Sequence, residues 1–287
     1  MIPKSALPIL ACLTCVAACS PNTPETSRPK IVVTYSVLGA VVQDLVGNAA
    51  QISVLIPDGQ DPHEFQPSAR DIEAINDADL VVSNGLDFEE GLLEALARAE
   101  ENGVKQFRVG NFISQRVKEG EHNVADPHLW LSPMNFIQAL PSLTAAIDDA
   151  TGLTVNAAKE SESLTQIDRD ITGMIGTIPS CVMVSGHDEL GYFSDRYGCK
   201  VVGAIIPSFS TTAEATASQI ANLKKLASEN DVKAVFTGLG TPPEVSEQLA
   251  NELGISAVSL STHYLNGAAN YREFMLNLAT QIVEALR

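Results

Sequence analysis

Short apolar runs of four to six residues alternate along this chain with longer segments whose apolar positions recur at helical spacing. Four runs fall in the first half: IVVTY from Ile31, ISVLI from Ile52, LVVSN from Leu80 and KQFRV from Lys105. Four more follow in the second half: CVMVS from Cys181, KVVGAI from Lys200, KAVFT from Lys233 and SAVSL from Ser256. They are rich in Val and Ile with little alternation, the pattern of parallel strands covered on both faces. Between them lie amphipathic segments with start signals. Ser68 is placed to cap a helix beginning near Arg70, and Thr241-Pro242-Pro243-Glu244 combines a capping threonine, early prolines and a capping-box glutamate. Such alternation predicts an α/β fold of parallel sheets covered by helices, with right-handed crossovers.

The middle of the chain breaks this rhythm. Pro133 to about Asp149 reads as one helix, Thr151 to Thr154 as a break, and Val155 to about Ile175 as a second helix ending near Gly176 and Pro179. No internal sequence repeat is visible beyond the shared alternation. At the other extreme, Lys4 precedes an uncharged apolar stretch from Ala6 to Ala18, which is shorter than the roughly 20 residues a membrane-spanning helix needs. Val16-Ala17-Ala18-Cys19 resembles a lipobox, so residues 1–18 read as a removed signal and Cys19 as a lipidated N-terminus. Ordinary cleavage without a lipid is the alternative. Residues 19–29, rich in Pro, Ser and Thr, read as a flexible tether.

Charge narrows the classes of function. The formal net charge is −17, and removing the signal takes away Lys4 and no acid, so nothing in the exported part offsets it. There is no basic stripe of the kind a phosphate backbone requires, which argues against nucleic acid. Beyond the signal and Cys19, only Cys181 and Cys199 remain, each opening an apolar run. If those runs are adjacent parallel strands joined by the short segment Gly191 to Tyr197, their starts approach disulfide distance, and an exported compartment permits the bond. Two buried free thiols are the other reading.

Three of the five histidines sit in strand-exit segments: His63 in GQDPHEFQPSARD, His128 in DPHLWLSP and His187 in VMVSGHDELGYF. Imidazole suits Zn²⁺, and ligands of open parallel sheets collect beyond the carboxyl ends of strands. Pro62 and Pro127 stiffen the backbone before two of these rings. Asp61, Asp126 and Asp188 stand ready either to accept a ring N–H or to cap local turns, and Trp130 either walls the site from water or belongs to the core. Phe88, Tyr192 and Phe193 read as packing residues, and His122 as a solvated loop residue. No nucleophile-elbow sequence surrounds Ser185, Ser208 or Ser210, and the chain has no GxxxxGK[ST] phosphate loop.

In the same order along the chain, these three histidine segments resemble the ligand segments of zinc and manganese solute-binding lipoproteins of bacterial ABC importers, the metal-binding cluster A-I family. The likeness runs from about Lys30 to the C-terminus. It implies two lobes, each with a four-stranded parallel sheet covered by helices, joined by a long rigid helix: an N-terminal lobe over 30–152, the linking helix over 153–177 and a C-terminal lobe over 178–287. It also implies capture of Zn²⁺ in the interlobe cleft as a transported ligand, and delivery to an ABC permease driven by a separate cytoplasmic ATPase. The protein is then a monomer outside the cytoplasm, held to the membrane by its lipid, and performs no catalysis. In that family the third ligand is typically His in zinc binders and Glu in manganese binders, so His187 favours zinc. The acidic loop of His122 lies where many zinc-binding relatives carry a longer His-rich insertion. One departure stands out: relatives often place an Asp after the final strand, in a sequence like VALDP, whereas here Ser261 occupies that place in VSLSTH. The fourth position is then a water or His263, two residues on. Two rivals remain, a manganese or chelated-metal binder on the same fold and a three-His zinc hydrolase whose open position activates water.

Overall fold

The computed structural model describes residues 28–118 and 124–287. The signal segment, Cys19, nearly all of the tether and His122 lie outside the described residues. All eight apolar runs are strands. β1 (Lys30–Tyr35), β2 (Gln51–Ile56), β3 (Leu80–Ser83) and β4 (Gln106–Arg108) pair in parallel in the order β2-β1-β3-β4. A short antiparallel ribbon follows, β5 (Val117–Lys118) with β6 (Val124–Ala125). The second sheet is formed by β7 (Val182–His187), β8 (Lys200–Ile206), β9 (Ala234–Thr237) and β10 (Ser256–Ser259), again parallel, in the order β10-β9-β7-β8. Counted within its own sheet each order reads 2-1-3-4, so the halves share a topology that the sequence does not show as a repeat. In both, the order reverses beside the first strand, and the crevice beyond the strand ends at such a point is where ligands collect.

Helices α1 (Ser36–Val46), α2 (Ala69–Asn76) and α3 (Leu93–Glu101) cover the first sheet, while α6 (Gly191–Tyr197), α7 (Ala217–Glu229) and α8 (Pro243–Leu253) belong to the second. Ser68 caps α2 as its sequence implies, with Asp71 completing the box. Thr241 does not cap α8. Pro243 takes the first helical position and holds Pro242 extended at φ −59°, ψ 123°, so the helix starts one residue later than the threonine needs.

Between the sheets run α4 (Pro133–Thr151), ended by Gly152 at φ 70°, and α5 (Ala157–Ile175), capped by Asn156. The chain closes with α9 (Tyr271–Leu286), which returns to pack against α5 and α1. Leu164, Ile167, Ile171 and Ile175 give α5 a buried stripe at helical spacing. Asp168, buried on the same helix, takes both an Nε (2.6 Å) and an Nη donor of Arg196 in α6. One apolar core therefore runs from the first sheet through α4, α5 and α9 to Met183 and Phe236 of the second and Phe193 of α6. A smaller core around Val184, Ile205, Leu223 and Leu249 fills the outer face of that sheet. Cys181 and Cys199 are joined by a disulfide at a Cα separation of 4.7 Å, linking the starts of β7 and β8. Among the described residues no helix is long and apolar enough to cross a membrane.

Candidate metal centre

Four loops at strand exits converge between the sheets, and each brings a histidine. His63 lies beyond β2; its amide donates to Asp61 Oδ1 at 3.0 Å, which closes the turn around Pro62. His128 follows the ribbon. Asp126 Oδ1 accepts both its amide (3.0 Å) and its ring Nδ1–H (2.8 Å), while Asn84 donates to Pro127 O at 2.8 Å and so anchors the loop to the end of β3. His187 is the last residue of β7. His263 lies beyond β10, where the indole N–H of Trp130 donates to Thr262 O at 2.6 Å.

All four imidazoles are 3% exposed or less, and one nitrogen from each lies within 4.8 Å of the others. Tetrahedral bonds of about 2.0–2.1 Å to zinc place ligand nitrogens roughly 3.3 Å apart, so a small contraction of this cluster suffices. The closest pair, His128 Nε2 and His187 Nε2, is already at 3.0 Å. A carboxylate only accepts, so the Asp126 contact fixes the proton of His128 on Nδ1 and leaves Nε2 as a lone pair facing the cluster. Burial holds all four rings below the ordinary histidine range; mutual repulsion adds to this at His128, His187 and His263, while Asp61 and Glu90 partly oppose it at His63. Neutral rings are what metal ligation requires.

Around the cluster the protein is apolar on one side and acidic on the other. Gly85, Leu86 and Asp87 take successive positive φ values of 75°, 58° and 57°, a reversal that delivers Phe88 to the site. Phe88 lies edge-on to His63 at 5.1 Å and parallel to His263 at 6.0 Å. Trp130 contributes to both core and wall, fully buried and 5.4 Å from the His128 ring. Among the three aspartates, only Asp126 takes a ring N–H; Asp61 serves a backbone amide, and Asp188 pairs with Lys118 at 2.6 Å. Arg116 bridges the halves, from Asp126 Oδ2 (3.2 Å) to Asp195 Oδ2 (2.9 Å). Ser261 turns away, donating to Tyr264 O at 3.0 Å. A cavity of about 660 Å³ opens beside His63, lined by Leu86, Leu93, Lys118, Val124 and Phe209.

Glu189 escaped the sequence reading. It is buried, with Oε1 3.6 Å from His187 Nδ1 and Oε2 3.7 Å from His263 Nδ1. Its position two residues after His187 was visible; its burial depends on the loop beyond β10. Burial pushes its carboxyl up to about 8 and that of Asp126 up to about 7, so ionising either is costly, a cost that a divalent cation nearby would offset.

Two parallel-sheet lobes with a buried cluster of four imidazoles between them make up the candidate metal centre. The chain belongs to the family described as ZnuA, zinc-uptake complex component A, periplasmic, which matches residues 31–285. The family's description makes its members components of zinc uptake. Among relatives, the zinc-binding protein AdcA of Streptococcus pyogenes serotype M3 is 26% identical over 262 residues, covering 82% of this chain and 50% of that protein. The manganese-binding lipoprotein MntA of Halalkalibacterium halodurans is 29% identical over 252 residues, covering 83% and 82%. This chain thus spans about half the length of the zinc-binding AdcA relatives it matches. The fold is shared with the periplasmic zinc-binding protein TroA of Treponema pallidum, at a TM-score of 0.77, 22% identity, and coverage of 91% of this chain and 99% of that one. A crystal structure of ZnuA matches at a TM-score of 0.76 and 24% identity, covering 91% and 100%.

Proposed function

We propose that this chain captures Zn²⁺ between its lobes, using His63, His128, His187 and His263, and hands it to the permease of an ABC importer powered by a separate ATPase. One observation carries this reading: four buried imidazole nitrogens face one point, with no carboxylate oxygen in the group. Nitrogen donors in that number suit zinc, whereas Mn²⁺ favours carboxylate and water oxygens and a higher coordination number. The fourth imidazole also occupies the position an activated water would need, which counts against a zinc hydrolase. The lobes are assigned to 30–152 and 178–287, with α5 within the linking segment 153–177. Export and anchoring through Cys19 rest on the lipobox-like sequence, supported by the naming of the Halalkalibacterium relative as a lipoprotein. A monomer fits delivery to a membrane partner.

Titration of chelator-stripped protein with each metal separately tests the choice of ion. Zinc is expected to bind one per chain and to resist displacement by a large excess of manganese. Equal affinities, or preference for manganese, would refute zinc; an organic chelate retained in native mass spectrometry would point to a complexed metal instead.

A further inference from the structure

We infer that Glu189, acting in part through Thr262, is the positioning residue that sets which nitrogens His187 and His263 present to the metal. The inference rests on the zinc reading above and assigns a role to two residues outside the ligand set. Thr262 is buried, and its hydroxyl lies 2.5 Å from Glu189 Oε2 and 2.9 Å from His263 Nδ1. A hydroxyl has one proton to give, and here it goes to Glu189 Oε2. The second contact then runs the other way, from His263 Nδ1–H to Thr262 Oγ1. That leaves His263 Nε2 as a lone pair, and this buried atom has no hydrogen-bond partner among the described residues. The loop is held for this purpose by the Trp130 bond to Thr262 O. Gly238 leaves room as well, since a Cβ there would lie 3.0 Å from Thr262 Oγ1 and 3.4 Å from Glu189 Oε1.

His187 follows a related argument. Because Asp126 fixes His128 with a bare Nε2, the 3.0 Å contact between the two Nε2 atoms requires His187 to donate from its own Nε2. A metal that takes both nitrogens ends this contact. The single proton of the neutral His187 ring then belongs on Nδ1, which has no hydrogen-bond partner and faces Glu189 Oε1 at 3.6 Å. No proton is gained or lost by the ring in this exchange. Glu189 and Asp126 thus stand one layer behind the donors, each facing a ring Nδ1 without placing an oxygen on the ion.

The test compares Glu189→Gln, Thr262→Val and Thr262→Ser with wild type, by zinc competition and by ¹⁵N NMR of imidazole-labelled, zinc-loaded protein. In Glu189→Gln the amide can donate to Thr262, turning the hydroxyl toward His263 and reversing its tautomer. Loss of such outer partners typically weakens metal binding about 10–100-fold, which is the effect expected for Glu189→Gln. Thr262→Val should weaken zinc in the same direction and disturb the His263 signals alone, while Thr262→Ser restores both. Zinc binding by Glu189→Gln within about twofold of wild type, with His263 still protonated on Nδ1, overturns the inference, as does metal on Nδ1 of His263 in wild type. Should Glu189→Gln fail to fold, unchanged affinity and spectra in Thr262→Val overturn the relay through Thr262. Wild-type protein that binds no zinc defeats the functional reading itself; zinc binding lost in His63→Ala but intact in Glu189→Gln defeats only the positioning role.

Discussion

Alanine in place of His63, His128, His187 or His263 is expected to weaken zinc binding about 100–1,000-fold. Zinc sites with four protein ligands gain roughly 10–16 kcal/mol from the ion, and a quarter of that, about 2.5–4 kcal/mol, corresponds to two to three decades in affinity. The metal-free fold should survive, because His63, His187 and His263 spend few hydrogen bonds on the scaffold; ring nitrogens of all three lack partners among the described residues. His128→Ala should be the least stable of the four, since it strips the buried Asp126 carboxyl of a ring donor at 2.8 Å. Competition against a chromogenic chelator measures the affinities, and thermal melts of the zinc-free proteins check the fold. Wild-type-like isotherms for any two variants would dismantle the site.

Trp130→Ala should produce the largest loss of stability among single substitutions near the site. The side chain is fully buried, packs on Tyr35 at 5.1 Å and Phe88 at 4.6 Å, and donates to Thr262 O. The backbone oxygen of the same residue accepts from Tyr271 of α9, joining the two ends of the core. Truncating a buried tryptophan typically costs about 3–5 kcal/mol. At about 2–4 °C per kcal/mol for a chain of this size, the melting temperature of zinc-free protein should fall by about 6–20 °C. Zinc affinity should fall with it, because the Thr262 loop loses its tether. Trp130→Phe keeps most of the apolar volume but not the N–H, and is expected to lie between. A melting temperature within about 2 °C of wild type for Trp130→Ala would show that this contact network holds nothing in place.

The strands were legible because Val and Ile concentrate where both faces are covered, and Ile31 to Tyr35 or Val182 to Ser185 need no tertiary information to be recognised. The ribbon was not, since two residues per strand carry no period. Thr241 misled for a local reason, the competition between two adjacent prolines for the first helical position. His63, His128 and His187 were readable from their strand-exit segments, and His263 only as one of two choices, because its approach depends on a loop fixed by Trp130, 133 residues earlier in sequence. Glu189 and Phe88 were hidden more deeply. A glutamate two residues after a histidine and a phenylalanine after β3 have no sequence mark of their own; their roles come from packing against loops distant in sequence, Thr262 and His263 for Glu189 and His63, Trp130 and His263 for Phe88.

Zinc K-edge X-ray absorption on protein loaded with one equivalent of zinc tests the central claim most directly. The account predicts a four-coordinate shell of nitrogen donors at about 2.0–2.1 Å with imidazole scattering from all four rings. A protein carboxylate oxygen in that shell, or fewer than three imidazoles, would contradict it.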